Sequence, residues 1–251
     1  MKPYIGMISS DWNQCLAPCG PFDVFAYHHP GLQPQLDRIF QHYTSNAMTL
    51  GEATGQIHML LPSPLTQNQM DRYLQDQFKT YTGVEEFIAW CGDHHILFMI
   101  NTTGMTGYFQ RALALGLLPA FAVLSANPLV RYDQSATDPG LLLDLFEITD
   151  KARHTAAVAA RFNIAPNNII IVGDSGGDGP HFEWGAHNGA TLIGSMTKSS
   201  LETYCAGHGI EMTYQFGHTY AMGEAVDLEK EMVHTFTDLI AIVQRTIDRQ
   251  C

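Results

Sequence analysis

The segment Ile169-Ile170-Ile171-Val172-Gly173-Asp174-Ser175-Gly176-Gly177-Asp178 constrains this chain more than any other. An unbroken apolar run with no polar alternation predicts a strand buried on both faces, as in a parallel sheet covered by helices. The run ends in a glycine-rich turn carrying two carboxylates four residues apart. Such a pair can converge on one hard cation. Magnesium takes oxygen ligands and keeps several waters, so one or two carboxylates plus substrate oxygens suffice.

The same grammar recurs along the chain. A short apolar run at residues 4–8 meets Ser9-Ser10-Asp11, and a five-residue run at 96–100 meets Asn101-Thr102-Thr103-Gly104. Further strands are predicted at 121–124 and 191–193, with helices over 108–115, 151–162 and 228–247. Short apolar strands alternating with helices predict an α/β fold, a Rossmann-like doubly wound parallel sheet. Between the first two strands, Leu36, Ile39, Phe40 and Tyr43 recur with helical spacing, and Met70, Tyr73, Leu74 and Phe78 nearly so. Pro62-Ser63-Pro64 interrupts this stretch, Thr66 can cap the next helix, and Gly83 opens another over 84–91. The stretch is too long for a simple crossover, which predicts an inserted helical cap over 18–95 on a core domain of 1–17 and 96–251.

Composition excludes several partners. With 25 acidic and 13 basic residues the net charge is −12, and no basic stripe exists to neutralise nucleic-acid phosphates or an anionic membrane. No apolar run approaches the roughly 18–20 residues of a membrane span, and the N-terminus does not read as a secretory signal. Five cysteines (15, 19, 91, 205, 251), odd in number, fit free thiols and a cytoplasmic location. The Cys15/Cys19 pair has no second half to complete a zinc site.

Asp11, Thr102 and Asp174 each follow an apolar run, where ligands bind in open parallel sheets. Taken one at a time each is weak, since an Asp after a strand is more often a turn or helix cap than a catalyst. Their joint order is more specific. It resembles the haloacid-dehalogenase superfamily over nearly the whole chain: Asp11-Trp12-Asn13-Gln14-Cys15 as the first motif, Thr102 as the second, Lys151 as the third and Gly173–Asp178 as the fourth. The separation of 23 residues between Lys151 and Asp174 (174 − 151) and the position of the insertion resemble the phosphoserine-phosphatase-like branch. Gly55-Gln56 and Gly83-Val84-Glu85-Glu86-Phe87 are loosely similar to the methionine-salvage ketopentenyl-phosphate phosphatase group, from which no substrate is carried over.

The resemblance implies a phosphatase acting on a small phosphorylated metabolite. Asp11 is then the nucleophile, forming an aspartyl-phosphate. Mg2+ is held by Asp11, the Asn13 backbone carbonyl and Asp174, with Asp178 in support. Thr102 and Lys151 hold the transferring phosphoryl oxygens, and Thr103, Gly104 and Ser175 add to the substrate cradle. Lys151 also reads, on spacing alone, as a solvated lysine at a helix start.

One position departs from the pattern. Asn13 stands where the family's phosphatases carry a second Asp that protonates the leaving alkoxide and then activates water. An amide cannot transfer a proton at neutral pH, and general acid–base catalysis is worth roughly 10²- to 10⁴-fold. Four readings stay open: an engineered Asp→Asn exchange, a phosphatase for good leaving groups, a relative with different chemistry, or a weakly catalytic phospho-ligand binder. Dehalogenase chemistry is disfavoured by the intact Asp174/Asp178 pair. A phosphonate hydrolase needs a cap lysine, and Lys79, alone in the insertion, reads as solvent-facing. The pairs His28-His29 and His94-His95 point in different directions and suit surface positions better than a metal site. His181 reads as helix packing before site mouth. Phe22, Phe25 and Tyr27 are candidates for a pocket wall, whereas Phe40 and Tyr43 read first as core of the insertion.

Overall fold

The computed structural model describes residues 3–44 and 47–248; Met1, Lys2 and Cys251 lie outside them. Seven strands form one sheet: β1 (Gly6–Ser10), β2 (Ile96–Met105), β3 (Val123–Asn127), β4 (Leu141–Asp144), β5 (Ile169–Gly173), β6 (Thr191–Ser195) and β7 (Tyr214–Phe216). Their order is β4-β3-β2-β1-β5-β6-β7 and every neighbouring pair is parallel. The direction of strand addition reverses at β1, which pairs with β2 on one side and β5 on the other. In open α/β sheets, that reversal opens a crevice at the carboxyl ends.

Five helices lie between β1 and β2: α1 (Asp23–His28), α2 (Gln33–Thr44), α3 (Leu50–Leu60), α4 (Gln67–Gln77) and α5 (Val84–Asp93). Then come α6 (Thr106–Ala114), α7 (Asp150–Phe162), α8 (Gly179–Asn188), α9 (Ser199–His208), α10 (Leu228–Met232) and α11 (Leu239–Asp248). Two helices in the insertion begin with reciprocal capping boxes, Thr49 with Glu52 and Thr66 with Gln69. Each box satisfies two of the orphan N–H groups at a helix start. No helix among the described residues is long and apolar enough to cross a membrane.

The sheet's side chains alternate between two cores. Met7, Leu97, Ile169, Ile171 and Leu192 face one side with Val158 of α7, Phe182 of α8 and Leu201 of α9. Ile8, Phe98, Ile100, Ile170 and Ile193 face the other. On that side the apolar cluster runs without a break from the sheet through Phe87 of α5 and Phe109 of α6 to Phe25, Leu36, Ile57 and Leu74 of the insertion. Phe87 meets Phe98 edge-on with ring centroids 6.0 Å apart, and Arg111 of α6 forms a two-bonded ion pair with Asp71 of α4 at 2.6 and 3.0 Å.

Several element bounds differ from the sequence expectation. β1 starts two residues late and keeps Ser9 and Ser10, because their hydroxyls find buried partners in Thr155 and the Asp11 carbonyl, each at 2.8 Å. β2 continues through Thr102 to Met105. β4 and β7 are short, half-buried edge strands not predicted from the sequence, although β4 carries the run Leu141-Leu142-Leu143. The single helix predicted over 228–247 is broken into α10 and α11. Between them Phe236 turns inward to stack on Tyr81 (6.2 Å), and its N–H bonds the Thr82 carbonyl at 2.8 Å.

Candidate active site

Asp11 lies one residue beyond β1. Its N–H continues the ladder to the Val172 carbonyl at 2.9 Å. The chain then folds into a tight turn in which the Trp12 carbonyl accepts from Leu16 and Ala17 at 2.9 and 3.0 Å. Trp12 is fully buried, edge-on to Phe109 at 5.4 Å, and anchors the turn. Gln14 takes a left-handed φ of 58°, an uncommon state for a residue with a side chain. Strained backbone of this kind concentrates where a structure must present side chains in a fixed direction.

From β5, Asp174 and Asp178 bracket a 3-10 turn spanning Gly176–Asp178. The Asp178 carboxylate folds back, accepting from the Asp174 and Ser175 N–H groups at 2.9 and 3.3 Å. Gly173 makes this possible: a Cβ there would sit 2.6 Å from the Asp178 carboxyl carbon. Carboxylate oxygens of Asp11, Asp174 and Asp178 all lie within 4.8 Å of one another, and all three residues are buried.

Two lysines answer this charge. Lys151, in the first turn of α7, is 2% exposed and reaches Asp178 at 2.6 Å and Asp11 at 3.1 Å. Burial alone would lower its pKa, but the two carboxylates raise it well above the ordinary value. Lys198, just before α9, forms an ion pair with Asp174 and a hydrogen bond to Gln14. Desolvation raises Asp11 above the ordinary carboxylate range and pushes Asp174 up to about 7, against the pull of Lys151 and Lys198 respectively. Asp178 is also desolvated, yet Lys151 holds its pKa below the usual value.

Three carboxylates against two ammonium groups leave a net negative charge in a desolvated site. Asp174 Oδ1 is buried with no hydrogen-bond partner, and Asp11 Oδ1 has no hydrogen bond and only the Lys151 ammonium beside it. A buried carboxylate oxygen without a donor, beside a second that meets only an ammonium, fits a hard cation that takes oxygen ligands. Among the described residues this is the one such acidic or His/Cys cluster; neither histidine pair belongs to one.

Thr102 lies at the floor, fully buried, with its hydroxyl donating to Asn13 Oδ1 at 3.1 Å and accepting the Gly104 N–H at 3.1 Å. The Gly104 donor therefore points at the threonine and not into the cavity. Its lack of a Cβ matters, since one would come 2.7 Å from Asn13 Oδ1. Thr103 and Ser175 face a cavity of about 370 Å³, with Asp11, Asn13, Lys151 and Asp174. The sequence-derived set thus lies together, with Asp11, Asn13, Thr103, Lys151, Asp174 and Ser175 on the cavity wall and Thr102, Gly104 and Asp178 behind it.

Phe40 and Tyr43 of α2 belong to the apolar core of the insertion, as their spacing predicts, and also line the cavity; Pro21, Ile148, Tyr220 and Val226, without a sequence signal, add to its wall. Phe22 and Phe25 are core, and Tyr27 instead bonds Asp76. His181 is buried with Nε2 on Thr155 at 2.9 Å, so it packs beneath the site. Lys79 lies elsewhere and is exposed. The four described cysteines are free thiols; burial pushes Cys19 up to about 12 and raises Cys15 well above its ordinary value. Lys198 was legible only as one more lysine.

Comparison with solved structures shows where this fold is found. A phosphoserine phosphatase captured as a phospho-aspartyl intermediate analogue superposes with a TM-score of 0.65 at 15% identity, covering 96% of this chain and 99% of that one. A haloacid-dehalogenase family hydrolase from Salmonella enterica subsp. enterica serovar Typhi gives 0.66 at 20% identity, covering 96% and 72%. A cytosolic 5'-nucleotidase IIIB bound to cytidine gives 0.59 at 14% identity, covering 99% and 87%. The fold is therefore that of the haloacid-dehalogenase-type hydrolases, in the form seen in phosphoserine phosphatase. No family model matches the sequence, and neither does any curated protein.

Proposed function

We propose that the chain is a magnesium-dependent phosphomonoester hydrolase acting on a small phosphorylated metabolite through an aspartyl-phosphate. The observation that carries this reading is the meeting of Asp11, Asp174, Asp178 and Lys151 beside a cavity, with an unpartnered carboxylate oxygen among them. Its likeness to a phosphoserine phosphatase held as a phospho-aspartyl analogue supports the same chemistry.

In this reading Asp11 attacks phosphorus and the ester oxygen departs, which divides one difficult displacement into two easier ones. Asp11, Asp174 and the Asn13 carbonyl would hold a magnesium ion, which would supply the positive charge that lets an anionic nucleophile meet an anionic ester. Lys151, already bridging Asp11 and Asp178, neutralises charge spreading over the phosphoryl oxygens. Asp178 holds Lys151 and the Asp174 turn in register. Thr103 and Ser175 contribute contacts on the cavity wall. The inserted helices roof the cavity through Phe40 and Tyr43 and act as a cap that excludes water during transfer. A second reading, a phospho-ligand binder with little turnover, is favoured by one observation: Asn13 in place of an acid.

A screen of phosphate esters with magnesium, following phosphate release, tests the proposal. Turnover is expected that chelation abolishes and that Asp11→Asn reduces to background. Magnesium-dependent ligand binding without phosphate release in any ester would leave the binder reading in its place, and an unchanged rate in Asp11→Asn would move the chemistry elsewhere.

A further inference from the structure

The Asn13 amide is held from both ends. Its Nδ2 donates to the Cys19 carbonyl at 3.2 Å, and its Oδ1 accepts from Thr102 at 3.1 Å. A carbonyl can only accept, so the NH2 must face Cys19 and the oxygen must face Thr102. The Asn13 side chain on the cavity wall is therefore a fixed amide with no proton to give.

Several other polar side chains at the cavity are already engaged. The Tyr220 hydroxyl donates to Glu231 at 2.8 Å. Glu224 is drawn down to about 2, first by the Ala221 N–H, then by Lys230 and His218, and so stays ionised. Lys151 is locked between Asp11 and Asp178, and Lys198 is held by Asp174 and Gln14. The rim above is apolar: Pro21, Phe40, Ile148 and Val226.

Building on the hydrolase reading, we propose that this site is selective for phosphate carried on an oxygen that is stable as an anion, as in aryl, enol or acyl phosphates, and that the phosphorylated Asp11 outlasts the first step. In that step an Asp11 oxygen bonds to phosphorus, the bond from phosphorus to the leaving oxygen breaks, and the electron pair departs with a phenolate, enolate or carboxylate. Any proton it later acquires comes from solvent. In the second step a water oxygen bonds to phosphorus, the Asp11 carboxylate is regenerated, and the proton is lost to buffer without a base to take it. The missing base slows this step. An apolar rim suits the body of an aryl or enol ester better than a polyol.

The test is a leaving-group series run with magnesium: aryl phosphates of decreasing acidity, continued into alkyl phosphates. For the wild-type chain kcat/KM is expected to fall by about 10²-fold or more from nitrophenyl to alkyl esters, the range that general acid catalysis otherwise covers. Stopped-flow traces should show a burst of phenol near the enzyme concentration before the steady state. Asn13→Asp should raise alkyl turnover roughly 10²- to 10⁴-fold and aryl turnover far less. Equal rates on alkyl and aryl esters in the wild-type chain would overturn the proposal, and this needs no variant to fold. So would a shallow series that becomes steep in Lys198→Met, which would make Lys198 the acid, and absence of a burst would remove the long-lived phosphoenzyme. If Asn13→Asp alone hydrolyses aryl esters, the selectivity falls while the hydrolase reading stands. If neither chain releases phosphate from any ester, the hydrolase reading itself falls.

Discussion

Lys151 owes its place to polar side chains beneath it as much as to the carboxylates in front. Asn101 Nδ2 donates to the Lys151 carbonyl at 2.9 Å and to Ser9 and Thr155 at 3.1 Å each, while Thr155 meets His181 Nε2 at 2.9 Å. This buried network pins α7 to β1 and β2 through the Asn101 amide nitrogen and the Thr155 hydroxyl. His181 stays neutral within it: burial lowers its pKa first, helped by Lys151, to about 3. The unfolded chain binds a proton near pH 6.5, so between pH 6.5 and 3 it holds more protons than the folded one. Stability is therefore fully present above 6.5 and is lost as pH falls through that window, by on the order of 4 kcal/mol at its lower end. Denaturation midpoints followed against pH should show this slope, and His181→Gln should flatten it. At this scale the acids were readable only jointly: each alone suits a turn or cap, but Asp11, Thr102 and the Asp174/Asp178 pair each follow an apolar run in one order. Lys198, Tyr43 and Thr155 carried no such contrast, since their roles depend on neighbours remote in sequence.

At the scale of elements, the central strands β1, β2 and β5 were legible because burial on both faces leaves a continuous apolar run. Their exact ends were not, because Ser9, Ser10 and Asn101 remain in strands by bonding to side chains of α7 or to backbone beyond. β7, Tyr-Gln-Phe, is too short and half-exposed to leave an apolar run, and in β4 the three leucines are too few to tell a strand from a piece of helix. The break between α10 and α11 arises from a tertiary contact, Phe236 on Tyr81, that overrides local helical periodicity. The β5 turn gives an element-scale prediction. Gly173→Ala should force Asp178 out of its fold-back position, since the new Cβ meets its carboxyl carbon at 2.6 Å. A loss of about 1–3 kcal/mol is expected, with weaker magnesium binding; thermal melts and calorimetric titration would check both. Unchanged magnesium affinity would mean that the Asp178 carboxylate does not support the cation.

Across the whole molecule, one buried carboxylate joins regions far apart in the chain. Glu231 is 1% exposed and accepts from Tyr81 at 2.7 Å and from Tyr220 at 2.8 Å. Tyr81 lies where the insertion returns to the sheet, its N–H on the Leu16 carbonyl at 3.0 Å, and Tyr220 begins the segment that walls the cavity through Ala221, Gly223, Glu224 and Val226. Glu231→Ala strands the buried Tyr81 hydroxyl, at about 1–3 kcal/mol, and leaves the Tyr220 hydroxyl only its bonds with the Asp227 backbone. It should also raise KM more than it lowers kcat, because the wall loosens while the acids and Lys151 stay; melting curves and steady-state kinetics read the two effects separately.

The unbroken apolar cluster linking sheet and insertion bears on how such a protein can diversify. Where roof and floor each have a private interior, one can be exchanged for another like a fitted part. Here Phe87, Phe98, Phe109 and Leu36 share one interior, so a foreign roof would leave the sheet's face bare. New preferences for substrate are then easier to acquire by point changes along the cavity mouth, at Phe40, Ile148 and Val226, than by wholesale replacement of the helices above.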